Sequence, residues 1–134
     1  MSLKIRGVHH IVLTVSDVDR STKFYEKVLG VESNWGNERV RCIPCKTFLL
    51  CLQLPPKQSI PNDLFDENRV GLDHIGFSVA SREKLESLLI VLDELGIKTA
   101  GIEFDPDGNE EYVYFRDPAN IQVEFYVGEY KDGM

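Results

Sequence analysis

The sequence has no apolar run approaching the roughly 20 residues that a membrane-spanning helix needs. It also starts without the apolar stretch of a secretion signal, since its first residues are Met1-Ser2-Leu3-Lys4. Both absences favour a soluble protein, with the cytoplasm as the expected location. Positive charge is scarce as well: 15 Lys and Arg stand against 22 Asp and Glu, a net charge of −7. This balance disfavours nucleic acids and anionic membranes as partners.

Cysteine is scarce and odd in number, with only Cys42, Cys45 and Cys51 in the chain. An odd count without a secretion signal argues against a disulfide framework. Cys42 and Cys45 have C-x-x-C spacing, but only one further cysteine is left to complete a zinc knuckle. The motif also lies in a strand-like stretch, not at a helix N-terminus that would activate a thiol. We therefore expect buried, unreactive thiols.

What the chain does contain is an internal repeat. The segment His10–Ser16 resembles His74–Ala80, and each is followed by a polar residue and a helical apolar pattern. The patterns predict helices over residues 17–29 and 81–95. The expected caps are Asp17 and Ser81 at the N-termini and left-handed Gly30 and Gly96 at the C-termini.

Three strand-like runs follow each predicted helix. They are residues 31–34, 39–43 and 47–54 in the first half, and 98–103, 111–116 and 121–127 in the second. Each half therefore has the order β-α-β-β-β, and the fold class is α+β. We expect a single domain over residues 1–134, with module one at about 5–56, a proline-containing linker at about 57–69 and module two at about 70–130.

Strand alternation places three metal-binding side chains on the faces that the helices leave open. His10 and His74 begin matching strands, and Glu124 has the same open-face parity on the last strand. A carboxylate inside an apolar strand is costly unless it is paired or coordinated. If the two open faces enclose a pocket, these side chains form a ligand set for one divalent cation: Fe, Mn, Ni, Co or Zn. His9 has the opposite parity and is expected outside this site.

Four segments of the chain together resemble the vicinal oxygen chelate superfamily. This superfamily includes glyoxalase I, bleomycin-resistance proteins, fosfomycin-modifying thiol transferases and extradiol dioxygenases. The segments are Val8–Asp17, Phe24–Gly30, Leu72–Phe77 and Phe115–Glu124. The resemblance implies two βαβββ modules in a half-open mixed barrel, metal ligands on the first and last strands of each module, and a homodimer.

Residue by residue, the resemblance implies the same ligand set as strand parity does. His10 and His74 match the two first-strand ligands, and Glu124 matches the last-strand ligand of module two. The fourth family position falls at about Gln53, where bacterial-type glyoxalase I carries a glutamate. Gln53 is therefore expected to make a secondary contact with the metal or substrate.

The segment from Tyr114 to Glu124 is similar to the extradiol dioxygenase signature, in which the tyrosine lies beside the substrate oxygens. Tyr114 is therefore a candidate catalytic residue together with Glu124. The signature's histidine upstream of the tyrosine is absent here, and Asn120 stands where the signature has glycine.

The predicted function is that of a metal-dependent enzyme acting on a small molecule with adjacent oxygens. The cation would act as a Lewis acid on those oxygens. Glyoxalase-like lyase or isomerase chemistry and dioxygenase chemistry both fit. The alternative is a metal-free small-molecule binding protein of the bleomycin-resistance type. Retention of all three ligand residues disfavours this alternative.

Overall fold

The computed structural model describes residues 2–129, so the predicted end of module two, at residue 130, lies outside the described residues. The chain divides into two compact units whose boundary falls between Asp63 and Leu64, inside the predicted linker. The elements are β1 (His10–Thr14), α1 (Val18–Leu29), β2 (Trp35–Gly36), β3 (Val40–Cys45), β4 (Phe48–Gln53), β5 (His74–Val79), α2 (Arg82–Glu94), β6 (Glu103–Asp105), β7 (Glu110–Arg116) and β8 (Gln122–Val127).

Each unit has one helix and one four-stranded mixed sheet. The strand orders are β1-β4-β3-β2 in the first unit and β5-β8-β7-β6 in the second. The first and last strands of each unit pair in parallel, and the remaining pairs are antiparallel. The predicted α+β class and the repeated β-α-β-β-β order are therefore confirmed.

The two helices begin and end where local sequence signals predict. The carboxylate of Asp17 accepts a hydrogen bond of 3.0 Å from the backbone N–H of Arg20, and Gly30 closes α1 with φ 69°. Gly96 follows α2 with φ 70°. Ser81 holds the N-cap position of α2, but its side chain makes no capping hydrogen bond. Neither described helix has the length and apolar character needed to cross a membrane.

Each helix packs on one face of its own sheet and forms a core there. Among the described residues, the fully buried side chains include Tyr25, Ile43, Leu50 and Leu52 in the first unit and Leu85, Leu92, Val113 and Val123 in the second. Because sheet side chains alternate between faces, the intervening residues lie on the face opposite the helix. The predicted ligands occupy that opposite face.

Two predicted strands were wrong in position. Residues 31–34 and 98–103 were expected to be strands, but β2 and β6 begin only at Trp35 and Glu103. Side chains take up the backbone groups before both strands. The N–H of Ser33 donates to Oε2 of Glu26 at 2.8 Å, and the N–H of Gly101 donates to Oγ1 of Thr99 at 3.2 Å. The bond at Gly101 is local and competes with a strand ladder. The bond at Ser33 comes from a helix residue seven positions earlier and likewise occupies an N–H that a ladder would use.

The expectation of unbonded thiols was wrong for two of the cysteines. Cys42 and Cys51 stand opposite each other on β3 and β4 and form a disulfide. The two cysteines are nine residues apart in sequence, and the β3–β4 hairpin brings them together. Spacing in the sequence alone does not reveal this pairing. Cys45 remains a free, half-buried thiol on the opposite face of β3.

Candidate functional site

The open face of the second sheet carries the predicted residues His74, Glu124 and Tyr114. Strand register places Gly76, Glu124 and Tyr114 in one row across β5, β8 and β7, and His74 and Gln122 in the adjacent row. His74 and Glu124 are therefore diagonal neighbours on paired strands. Glu124 is 8% exposed, so its carboxylate is largely shielded from water.

His74 is held between two carboxylates. Its Nδ1 lies 2.7 Å from Oδ1 of Asp73, and its Nε2 lies 3.5 Å from Oε1 of Glu124. A carboxylate oxygen can only accept, so Nδ1 of His74 carries the proton of the contact with Asp73. In the neutral imidazole, the lone pair of Nε2 then faces the carboxylate of Glu124. A cation between Nε2 of His74 and Oε1 of Glu124 would be bound by both atoms.

The side-chain amide of Gln122 fixes the second oxygen of Glu124. The amide Nε2 of Gln122 donates to Oε2 of Glu124 at 2.6 Å. Burial, with a smaller effect from the Glu124 charge, raises the pKa of the Tyr126 phenol to about 12. The phenol therefore remains a proton donor at neutral pH. Beside Glu124, Gly76 leaves open space, because a Cβ there would meet no atom within 4 Å.

The donor chemistry of this pair fits a divalent cation. Metal bonds to histidine nitrogen and carboxylate oxygen are about 2.0–2.2 Å long, so atoms 3.5 Å apart can share one ion. Asp73 on the far nitrogen of His74 and Gln122 on the far oxygen of Glu124 are typical orienting partners of metal ligands. Among residues 2–129, no group of three or more His, Cys, Asp or Glu side chains is close enough to hold a metal. The three-ligand set thus stays a prediction.

His10 starts β1 in the first unit, as His74 starts β5 in the second. Its Nδ1 lies 2.9 Å from Nδ1 of His9, and the two rings meet edge to face. His9 therefore contacts His10 directly, and the expectation that His9 lies outside the metal site stays a prediction. His9 precedes the first residue of β1, so strand alternation does not fix its direction.

Strand register also corrects the counterpart of Glu124 in the first unit. Glu124 pairs with Gly76, two residues after His74, and the equivalent partner of Val12, two residues after His10, is Cys51. Gln53 pairs with Thr14, one row farther along the same face. Cys51, rather than Gln53, therefore occupies the position that corresponds to Glu124. A role for Gln53 in a secondary contact remains a prediction.

Three tyrosines extend the face around Glu124. The rings of Tyr112 and Tyr126 stack with centroids 4.8 Å apart and planes 8° from parallel, and the centroid of Tyr114 lies 6.2 Å from that of Tyr112. The Tyr112 hydroxyl donates to Oε2 of Glu103 at 3.2 Å. Tyr114 is 37% exposed, so it presents an aromatic surface and a hydroxyl in the row of Glu124.

The segment before β8 is a turn held together by Asp117. The buried carboxylate of Asp117 accepts hydrogen bonds of 2.8 Å from the backbone N–H groups of Ala119 and Ile121. Asn120 adopts φ 71°, a conformation that glycine or asparagine tolerates best, which explains asparagine where the dioxygenase signature has glycine. Arg116, the last residue of β7, forms an ion pair with Glu67 at 2.6 Å.

Sequence reasoning missed Asp73, Gln122 and Tyr126 as neighbours of the candidate ligands. Gln122 and Tyr126 have the parity of Glu124 and lie two residues either side of it, so that signal was present. Asp73 precedes β5, where alternation gives no direction.

Known proteins of similar sequence and structure share this architecture. The profile of the Glyoxalase/Bleomycin resistance protein/Dioxygenase superfamily matches residues 7–125. The chain is 29% identical to the uncharacterized protein YwkD of Bacillus subtilis, over 91% of this chain and 97% of that protein. It is 23% identical to the metallothiol transferase FosB of Lysinibacillus sphaericus, over 98% of this chain and 89% of FosB.

Among solved structures, a glyoxylase/bleomycin resistance protein/dioxygenase domain from Frankia sp. superposes with a TM-score of 0.80 and 29% identity. The match covers 94% of this chain and all of that one. Because the profile covers most of the sequence, the chain belongs to the Glyoxalase/Bleomycin resistance protein/Dioxygenase superfamily.

Proposed function

We propose that this protein is a metal-dependent enzyme in which His10, His74 and Glu124 hold one divalent cation and a small substrate binds through two adjacent oxygens. The observation that carries the proposal is the facing of Nε2 of His74 and Oε1 of Glu124 at 3.5 Å, with Asp73 and Gln122 fixing their far atoms. A buried carboxylate opposite an imidazole lone pair is stable when a cation lies between them.

A bound cation would supply Lewis acidity toward the substrate oxygens. The chain's own groups would do the remaining work. Gly76 leaves room beside Glu124, and Tyr114 presents its hydroxyl from the same row. Tyr114 can donate a hydrogen bond to an oxygen that gains negative charge. The stacked rings of Tyr112 and Tyr126 offer an apolar surface that would limit the access of water to that oxygen.

A cation that polarises adjacent oxygens fits lyase, isomerase and dioxygenase chemistry. The relative named metallothiol transferase adds thiol transfer as a further possibility. Two substrate assays test the lyase and the dioxygenase reactions. Methylglyoxal with a thiol tests the lyase reaction, and a catechol with Fe(II) loaded without oxygen tests the dioxygenase reaction through oxygen uptake.

We expect the catalytic assembly to be a homodimer. Sedimentation velocity measures this oligomeric state.

Metal binding itself is tested by elemental analysis of protein purified without chelator and by Zn(II) titration calorimetry. We expect one divalent ion per chain, and a loss of affinity of roughly 100-fold or more in His74→Ala and in Glu124→Gln. Glu111→Gln is the matched control, because it removes the same charge from the other face of β7, where Glu111 pairs with Arg82. Unchanged affinity in His74→Ala would overturn the proposal. A metal-free chain that still binds an aromatic ligand would establish the binding-protein alternative.

A further inference from the structure

Each predicted ligand histidine contacts the residue immediately before it through the same ring nitrogen. In the second unit, Nδ1 of His74 lies 2.7 Å from Oδ1 of Asp73. In the first unit, Nδ1 of His10 lies 2.9 Å from Nδ1 of His9. Both ligand histidines are the first residues of matching strands, β5 and β1. The repeat therefore keeps the contact and changes its partner from a carboxylate to an imidazole.

The partner decides where the ring proton of the histidine can lie. A carboxylate oxygen only accepts, so Asp73 holds the proton of neutral His74 on Nδ1 and leaves a lone pair on Nε2. A neutral imidazole nitrogen either donates or accepts. When His9 accepts, His10 carries its proton on Nδ1, and its Nε2 is free to bind a cation. When His9 donates, Nε2 of His10 carries the proton and cannot bind one.

The backbone of His9 is held beside His10 by the sheet. Its carbonyl oxygen accepts a hydrogen bond of 3.1 Å from the N–H of Leu49, which ties the residue to β4 directly before β1 begins. Its ring meets that of His10 edge to face, with centroids 5.1 Å apart and planes 82° apart. Both the main chain and the ring of His9 therefore fix its approach to the far nitrogen of His10.

We infer that His9 is a positioning residue that accepts the Nδ1 proton of His10 and so presents Nε2 of His10 to the cation. This inference rests on the proposed metal-binding function. A hydrogen bond to a charged acceptor is roughly twice as strong as one between neutral groups. Neutral His9 therefore fixes His10 less firmly than Asp73 fixes His74, which makes His10 the more adjustable of the two ligands.

The position of the His10 proton is measurable without any metal. Long-range ¹H–¹⁵N NMR correlations distinguish a protonated ring nitrogen from an unprotonated one, and at about pH 9 free histidine is neutral. The chain has three histidines, so single substitutions assign each ring. The form of His10 with its proton on Nδ1 should be less populated in His9→Phe, which keeps a ring and removes the acceptor. His9→Asn, whose amide oxygen accepts, should restore the population of the parent protein.

Zn(II) titration calorimetry measures the consequence for metal binding. His9→Phe should weaken Zn(II) binding by roughly 10-fold or more, the typical effect of removing an orienting partner. His9→Asn should retain the parent affinity. His9→Asp, which copies the arrangement of Asp73 and His74, should bind Zn(II) at least as tightly as the parent. Far-ultraviolet circular dichroism checks that each variant is folded.

The possible failures are distinguishable. Equal proton positions on His10 in His9→Phe and the parent would overturn the inference. An equal loss of Zn(II) affinity in His9→Asn and His9→Phe would make His9 a ligand itself and would overturn it as well. Unchanged Zn(II) affinity in His10→Ala would refute the proposed ligand set. If the proton on His10 still responded to His9→Phe, the error would then lie in the metal site and not in the contact between the two rings.

Discussion

The side-chain amide of Gln122 donates a hydrogen bond of 2.6 Å to Oε2 of Glu124, two residues farther along the same strand. This contact leaves Oε1 as the oxygen that faces Nε2 of His74. A carboxylate with one oxygen fixed in this way presents the other in a defined direction. Orienting partners of this kind typically change metal affinity by 10- to 100-fold when they are removed.

Replacing this donor tests whether Gln122 orients Glu124. Gln122→Met keeps a similar length and removes the amide, so we expect Zn(II) affinity, measured by titration calorimetry, to fall by about 10- to 100-fold. The matched control is Gln58→Met, the same change at an exposed loop position, which should leave the affinity unchanged. Equal affinities in the two variants would show that Glu124 needs no fixed partner.

The turn that precedes β8 should depend on Asp117. Its buried carboxylate accepts from the N–H groups of Ala119 and Ile121, so Asp117→Ala leaves both donors without that acceptor. We expect a loss of about 2–4 kcal/mol in the free energy of unfolding, since each unsatisfied buried group costs about 1–3 kcal/mol. Urea unfolding measures it. Asp107→Ala, at an exposed position, should change stability by less than about 0.5 kcal/mol.

Strand alternation explains how much of the site could be predicted from the sequence. The two-residue period of a strand fixes which face a side chain takes, so Glu124 and Tyr114 were correctly placed on the open face of the second sheet. It does not fix the row. Choosing between Cys51 and Gln53 requires the pairing of β1 with β4, which depends on the whole fold, and the expected position was therefore two residues off.

The same limit applies to contacts across strands. The disulfide between Cys42 and Cys51 follows from the register of a hairpin, and no spacing rule on an odd set of cysteines could reveal it. Helix ends, in contrast, depend on nearby residues. Asp17 and Gly30 were identified because a cap acts within one turn.

Gly36 should be far less replaceable than a glycine of similar backbone conformation. Gly36 and Gly71 have φ values of 143° and 147°, so both substitutions carry backbone strain. A Cβ at Gly36 would also collide with the backbone of Val40 and Arg41, whereas one at Gly71 meets no atom within 4 Å. We expect Gly36→Ala to cost about 1–3 kcal/mol more than Gly71→Ala in urea unfolding, the typical cost of overpacking. Equal losses of unfolding free energy in the two variants would indicate that β2 can shift away from β3 without cost.

The thiol of Cys45 should make stability depend on pH in the alkaline range. Burial raises the pKa of this thiol above its ordinary value, an effect that outweighs a backbone hydrogen bond at Leu50. The thiol of the unfolded chain ionises at about pH 8.5. Above that pH the unfolded chain binds fewer protons than the folded one, so folding stability falls as pH rises through the folded pKa. Below about pH 8.5 the contribution of the neutral thiol is fully present.

Two measurements check this dependence while the Cys42–Cys51 disulfide is intact and Cys45 is the free thiol of the described chain. The rate of alkylation by iodoacetamide should reach half its maximum at a higher pH than that of a short cysteine peptide. Urea unfolding between neutral pH and pH 10 should show a steeper alkaline loss in the parent protein than in Cys45→Ala, which lacks the titrating group. Parallel stability curves, with alkylation midpoints equal to that of the peptide, would mean that the thiol ionises as freely in the folded chain as in the unfolded one.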